Sequence, residues 1–543
     1  MQISYFDWQQ WSTTYNRLPV ICEMDWPDGL PLSWEKFWDE ADPYSFVLES
    51  GRTGRYTYVG IRPTAVLSGT GMQAEERVRV ESQSGANNLE DVQDVQDEHG
   101  FDTAASSKAS CYRHARTFTG RPLDVVREWM SNYRAPSLEA RTGFTGGCVG
   151  VWGYDVVRSL EKLPNLAERD LNVPDYAFML IDECWIYDHQ RRTLTVCVYE
   201  TISREMTNDA ASMSKLLDQY ERAQQKARTM ISKWQEWVRA GHEAGLRRKQ
   251  KYEQAVMDDG LHIDLEQGTE LKSSLSKQAF TRAVAAIQDY IRAGDVFQVN
   301  LSVRQDRRTQ VKPEVLYEWL RLLNPSPYMG LLRFADLKLV SASPELLIKQ
   351  QGRTISTRPI AGTRRRGQTP TEDARLEEEL RTNEKERAEH IMLVDLERND
   401  IGRVAKFGSV QVDQFMTVER YSHVMHLVSE VSGELRDELD GFDALAAVFP
   451  GGTITGAPKI RTMEIIEELE PVRRGFYTGS FGWIDYSGDM EFNIIIRTMI
   501  SVHGHAYVQA GAGIVIDSIP EREYKESLSK AKALWKEIGR AHV

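Results

Sequence analysis

The sequence is short of several things, and each shortage narrows what the chain can be. It has five cysteines, Cys22, Cys111, Cys148, Cys184 and Cys197, widely spaced and never in a Cys-x-x-Cys pair. They read as reduced thiols of a cytoplasmic protein. It has no long basic tract, and the formal charge of −13 argues against a nucleic-acid partner. No apolar run approaches a membrane span, so no membrane association is expected. Residues 1–11 are polar and aromatic, without the basic-then-apolar order of a signal peptide. No internal repeat is evident.

What is present is ordinary globular composition at considerable length. The 543 residues are 41% hydrophobic and 27% charged, enough for more than one core. Strands and helices alternate without a strict βα rhythm, which predicts an α+β fold rather than a doubly wound sheet. Residues 1–205 are expected to form an N-terminal region, with a polar, acidic, mobile surface insertion at about 73–110. Residues 206–272 read as a charged helical connection, and 273–543 as the region that carries the chemistry. There, Phe280, Val284, Ile287 and Ile291 at helical spacing, with Gly294 at the stop position, predict a helix. Residues 296–301 and 338–342 read as strands, a hairpin turns at Gln351 and Gly352, a short strand is expected at 408–411 and a helix at about 421–431.

The later half is organised around residues 383–400. Glu386, Glu389 and His390 fall at i, i+3 and i+4 and share one helix face. The following residues are mostly apolar, so two carboxylates are carried toward an interior, where they need a partner or a metal. A second Glu-x-x-Glu pair, Glu523 and Glu526, lies near the C-terminus beside the stripe Tyr524, Leu528, Ala531, Leu534 and Ile538. Two facing pairs would make an all-oxygen cage for a hard cation such as Mg²⁺. A single pair of this kind is ordinarily a solvated face.

Other stretches carry weaker signals. Residues 451–459 (GGTITGAPK) fail as a P-loop, because Ala457 stands where Lys is required. Their backbone N–H groups and threonine hydroxyls suit an anion, or equally a tight turn and helix cap. Gly511 and Gly513 in residues 510–513 would admit a ligand close to the backbone, and close strand packing explains them as well. Arg497 follows Ile494, Ile495 and Ile496, and a buried arginine there would need an anion.

As a set, residues 343–345, 358–363, 386–400, 421–427, 451–459 and 511–530 resemble the chorismate-utilising enzymes, and the likeness spans most of the chain. Residues 48–50 and 164–189 resemble the family's first region. The fold so implied is antiparallel sheets packed as a sandwich with helices outside. Residues 295–302, 449–456 and 493–498 look more like the aminodeoxychorismate synthase branch (component I, para-aminobenzoate and folate) than the anthranilate synthase branch. Many of the former carry a nucleophilic Lys where this chain has Ala361, as anthranilate synthases do, which puts a covalent lysine route in doubt.

The resemblance implies Mg²⁺ held by Glu386, Glu389, Glu523 and Glu526, bridging to the ring carboxylate of chorismate. It implies that Arg497, Lys530 and the backbone of Gly511 and Gly513 hold the other carboxylate, with Tyr477 nearby and Ala361, Gly362 and Thr363 at the substrate. Glu345 matches the general acid for the C4 hydroxyl, and His426 and Thr453 lie against the ring and its leaving group. Gln298 stands where water-adding relatives have a Lys base, which favours ammonia as nucleophile. A glutamine amidotransferase subunit is implied as the ammonia source, since no glutaminase domain is evident in this chain. The alternatives are amination at C2 with loss of pyruvate, giving anthranilate, and a non-catalytic tryptophan sensor. Glu49, Ser50, Pro325, Tyr328 and Met329 resemble the tryptophan pocket of anthranilate synthases.

Overall fold

The computed structural model describes residues 3–50, 54–80, 111–138, 143–202, 210–257, 271–323, 325–421 and 424–541. Two sheets of twelve strands each form its frame, and every strand pair in them is antiparallel. Each sheet is shared between the two halves of the sequence. In the first, five early strands end on Tyr44–Glu49, which pairs with Tyr328–Phe334 of the later half. From there the sheet runs through Leu337–Ser343, Thr498–Val502 and His505–Ile514 to Gln298–Arg308. In the second, Ser480–Asp485 pairs with Gly147–Trp152 and joins the later strands to the earlier ones.

Alternation along the strands explains the layering. In Gly147–Trp152, Val149 and Val151 enter the core between the sheets, while Cys148 and Trp152 enter a second core under outer helices. Tyr176–Ile181 repeats this, with Ala177, Met179 and Ile181 on one face and Tyr176, Phe178 and Leu180 on the other. Strands buried on both faces read as continuous apolar runs. The result is the α+β sandwich with helices outside. The helix Ala210–Met257 lies along Arg17–Asp25 and Thr193–Thr201, burying Trp234 and Trp237. A third core joins Lys277–Ala293 and Pro520–Ala541 to the strands Gln298–Arg308 and His505–Ile514. No helix among the described residues is long and apolar enough to cross a membrane.

Several local expectations change. The stretch expected as an insertion from about residue 73 opens with a strand, Gln73–Arg79, paired on both sides by Ala65–Thr70 and Tyr112–Thr119. Residues 81–110 lie outside the described residues. The expected strand at 408–411 begins later, as Gln411–Arg420. The helix expected at 421–431 is the strand Val424–Glu434. Its Met425, Leu427, Val428 and Val431 satisfy a helical spacing by chance, and both faces are buried, so periodicity alone does not discriminate. The helix at 277–293 forms as expected, stopped by Gly294 in a left-handed conformation.

Candidate active site

The site lies where the far ends of the two sheets meet. Gln298 begins the strand Gln298–Arg308, and its neighbour His505–Ile514 carries Gly511 and Gly513 opposite Ser302 and Asn300. A Cβ on Gly513 would fall 2.1 Å from the Gln298 side-chain nitrogen, and one on Gly511 would fall 2.6 Å from Asn300 Oδ1. The two glycines therefore make room for polar side chains of their own sheet. The Gln298 amide nitrogen then donates to Glu389 Oε1 at 3.2 Å, tying the first sheet to the helix Glu384–Gly402 on the second. That helix starts at Asn383, whose side chain accepts from the Glu386 N–H at 3.0 Å.

The turn at 451–455 closes one side. Gly452–Ile454 is a single 3₁₀ turn, and Gly456–Ala457 pairs with Gln298 and Val299. Thr455 turns its hydroxyl back onto Gly451 O at 3.0 Å, so that threonine serves the turn. Thr453 does not; its Oγ1 is buried near Glu345 without closing a full hydrogen bond to it. Arg474, absent from the sequence expectations, holds the turn in place. It donates to Ile454 O at 3.0 Å and Asn300 O at 2.7 Å, and pairs with Glu470 at 2.8 Å, the whole pair buried. Tyr477 is buried with its ring 5.5 Å from the Arg474 guanidinium.

Glu345 is buried, and loss of solvation pushes its pKa up to about 7. Thr453, the Ile360 N–H and the Arg497 charge oppose that shift, yet Glu345 Oε1 completes no hydrogen bond. Arg497 sits between two strands with φ of 50°, and burial lowers its pKa against the pull of Glu345. His426 lies on Val424–Glu434, directly across from Thr363 on one side and Glu419 on the other. Its Nδ1 is 3.0 Å from the Thr363 hydroxyl and 3.3 Å from Gly362 O, and its buried Nε2 has no partner. Burial and the Arg497 charge hold the imidazole neutral, with a pKa near 4. Ala361 is buried in the same ladder, opposite Leu427.

The glutamate pairs approach one another through shared cations. Lys385 and Lys530 both act on Glu389 and on Glu523, whose pKa values are raised by burial and by their neighbours Glu386 and Glu526. Glu386 is paired with Arg364 at 3.0 Å, Glu526 with Lys530 at 2.9 Å, and Lys530 also donates to Gly511 O at 3.0 Å. In charge and donor type the four carboxylates fit a hard divalent cation. Among the described residues no three carboxylate, His or Cys groups close into a cage. His390, expected on the face of Glu386 and Glu389, turns away into the core, with Nε2 2.6 Å from Ser429 Oγ.

A second assembly is a pair of adjoining cavities. Glu49, Ser50, Tyr328 and Met329 line one narrow cavity, with Pro327 rather than Pro325 completing that wall. It adjoins a cavity of about 580 Å³ lined by Tyr56, Tyr58, Tyr328, Arg358, Glu419 and Tyr421 among others. Glu49 is already committed, accepting from the Tyr317 hydroxyl at 2.5 Å and from Arg321 at 2.7 and 2.9 Å.

Residues 146–150 do have the Gly-x-Cys-x-Gly spacing of a glutaminase nucleophile turn. The structure removes that reading, because Cys148 is in mid-strand, fully buried, and burial raises its thiol pKa. Beyond Arg474, sequence reasoning also missed Glu397 on the helix Glu384–Gly402. It is buried against the 451–455 turn, with Oε2 unpartnered and its pKa raised to about 8 by burial and by Asp400. Nothing in an amphipathic pattern distinguishes it from a solvated glutamate.

The profile of the chorismate binding enzyme family matches residues 46–536. Aminodeoxychorismate synthase component 1 of Bacillus subtilis is 41% identical over 492 residues, 91% of each chain. Anthranilate synthase component 1 of Acetivibrio thermocellus is 39% identical, covering 97% of this chain and 96% of its own. The crystal structure of anthranilate synthase component I from Streptococcus pneumoniae superposes with a TM-score of 0.63 at 30% identity, covering 89% of this chain and 92% of its own. With a profile match over nine-tenths of its length and a relative 41% identical over 91% of both chains, the chain belongs to the chorismate binding enzymes.

Proposed function

We propose that the protein aminates chorismate at C4, giving 4-amino-4-deoxychorismate, with ammonia delivered by a glutamine amidotransferase partner. The observation that carries the reading is the combination of a buried, protonatable Glu345 with a neutral Gln298. A neutral amide does not activate water, whereas ammonia needs no base to attack. The polar atoms left unpartnered among the described residues support a polar ligand at this place: Glu345 Oε1, Thr453 Oγ1, His426 Nε2, Gln298 Oε1 and Asn300 Oδ1.

Glu345 gives its proton to the C4 hydroxyl, which leaves as water. Ammonia forms the new C–N bond and loses a proton, so that chorismate and ammonia become aminodeoxychorismate and water. Arg497 and Lys530 are the cations available for a substrate carboxylate. Neutral His426 and Thr453 border the leaving group. Glu386, Glu389, Glu523 and Glu526 would hold Mg²⁺, which supplies charge neutralisation for the ring carboxylate when bound. We read the enzyme as cytoplasmic, and none of its five cysteines is in a disulfide.

Ala361 favours a second reading, the anthranilate synthase reaction, since it provides no nucleophile beside the ring. Under that reading, the cavity at Ser50, Tyr328 and Met329 is where tryptophan would bind. Mass spectrometry of the product from chorismate, ammonium and Mg²⁺ decides between them. An aminated product that keeps its pyruvyl group supports the C4 reading, and anthranilate with free pyruvate overturns it. No turnover of chorismate in the presence of the partner subunit would point to the sensor.

A further inference from the structure

His426 is flanked in register by two strands, Ile360–Arg365 and Gln411–Arg420. Thr363 holds Nδ1 from one side. On the other side the residue directly opposite is Glu419. Its carboxylate is not free to meet the imidazole. It accepts from the Tyr421 phenol at 2.5 Å and is ion-paired with Arg358, which also approaches Glu430 at 3.8 Å. The Tyr421 ring lies 5.7 Å from the His426 ring, at an interplanar angle of 57°. Its backbone is fixed as well, with N–H donating to Val424 O at 2.8 Å and its carbonyl accepting from Arg366 at 2.9 Å. Arg366 is in turn held by Asp373 at 2.7 Å.

We propose that Tyr421 is a positioning residue for His426, fixed by Glu419 and Arg358. The inference rests on the reading of His426 as a group that faces substrate. Two contacts at Nδ1 leave an imidazole free to rock about its Cβ–Cγ bond. An aromatic ring tilted against it at 5.7 Å restricts that freedom and so holds the direction of Nε2. The Tyr421 ring cannot slide, because its hydroxyl is anchored to Glu419, and Glu419 cannot swing, because Arg358 holds its other oxygen. The same three side chains, with Tyr328, form part of the wall of the 580 Å³ cavity. A molecule seated there would press on the residues that hold His426 without touching substrate.

The test replaces the ring and then the anchor. Tyr421→Leu removes the ring, Tyr421→Phe keeps it without its hydroxyl, and Glu419→Gln breaks the ion pair with Arg358 that fixes the phenol's acceptor. Each is assayed with chorismate, ammonium and Mg²⁺ for kcat and KM, with melting temperature as a check on folding. The expected result is at least a tenfold fall in kcat for Tyr421→Leu at unchanged KM, with only partial recovery in Tyr421→Phe, which keeps the ring but loses its anchor. Glu419→Gln is expected to match or exceed Tyr421→Phe in kcat and to stay below wild type, and it decides the matter should Tyr421→Leu fail to fold. Equal kcat in all three variants, or a loss confined to KM, overturns the proposal. A readout independent of turnover is the ¹³C–¹H resonance of His426 Cε1, assigned by its disappearance in His426→Gln. It should lose its ring-current shift in Tyr421→Leu and keep it in Tyr421→Phe. An unmoved resonance refutes the contact, whereas a moved resonance in a protein that leaves chorismate untouched refutes the functional reading alone.

Discussion

Glu345 and Glu397 show what burial does to a carboxylate. For Glu345 to act as an acid it must carry its proton, and its pKa near 7 allows that at neutral pH. The rate should therefore fall as pH rises through about 7. His426, neutral down to about 4, should add no acid limb above pH 5. Glu345→Gln should lower kcat by about a hundredfold or more, the scale of general acid catalysis. A loss of only a few-fold would remove Glu345 from that role. Glu397 bears on stability instead. Its ordinary value is 4.5 and its folded value about 8, so between those limits the native chain binds a proton that the unfolded chain has lost. Its contribution to stability is therefore fully present below about 4.5 and lost as pH rises through 8. In urea unfolding, Glu397→Gln should show a shallower decline from pH 5 to 8 than wild type. An unchanged slope would mean that Glu397 is charged in the fold.

At the scale of the element, the 451–455 turn depends on a residue outside it. Arg474 holds its Ile454 carbonyl and forms a buried pair with Glu470. Breaking such a pair from one side strands a buried charge, so Arg474→Met should cost about 3–5 kcal/mol in urea unfolding. Replacing Glu470 by Gln in that background should recover part of the loss. Full additivity of the two changes would show that they do not interact. This is also the scale at which the sequence is least informative. Helices with a stripe, a cap or a glycine stop, such as Lys277–Ala293 and Pro520–Ala541, are legible. Val424–Glu434 is not, because a strand buried on both faces has no period to read. The glutamate pairs are legible as pairs, but which cations face them is set by tertiary contact. Arg474, Glu397 and the inward turn of His390 depend wholly on what packs against them.

At the scale of the molecule, each sheet passes from one half of the chain to the other at a single strand pair. Tyr44–Glu49 against Tyr328–Phe334 is one seam, and Gly147–Trp152 against Ser480–Asp485 the other. These strands are mostly buried, so separating the halves would expose two long apolar edges. Residues 271–543 expressed alone should therefore aggregate, and co-expression with residues 1–257 should restore soluble protein, as judged by size-exclusion chromatography. A monodisperse, cooperatively melting fragment would contradict this.

The register of Val424–Glu434 also bears on how this protein can change over generations. His426 faces the site, while Met425 and Leu427 fill a small core with Leu376, Leu380 and Val418. Side chains alternate along a strand, so one residue gained or lost just ahead of it would send His426 into oil and a leucine or methionine to the chemistry. Point substitutions there can be tried one at a time by mutation, whereas a shift in length turns over every side chain of the strand at once. The spacing from Tyr421 to His426 is thus a heritable measurement, a fixed count that descent can preserve even where the letters between drift.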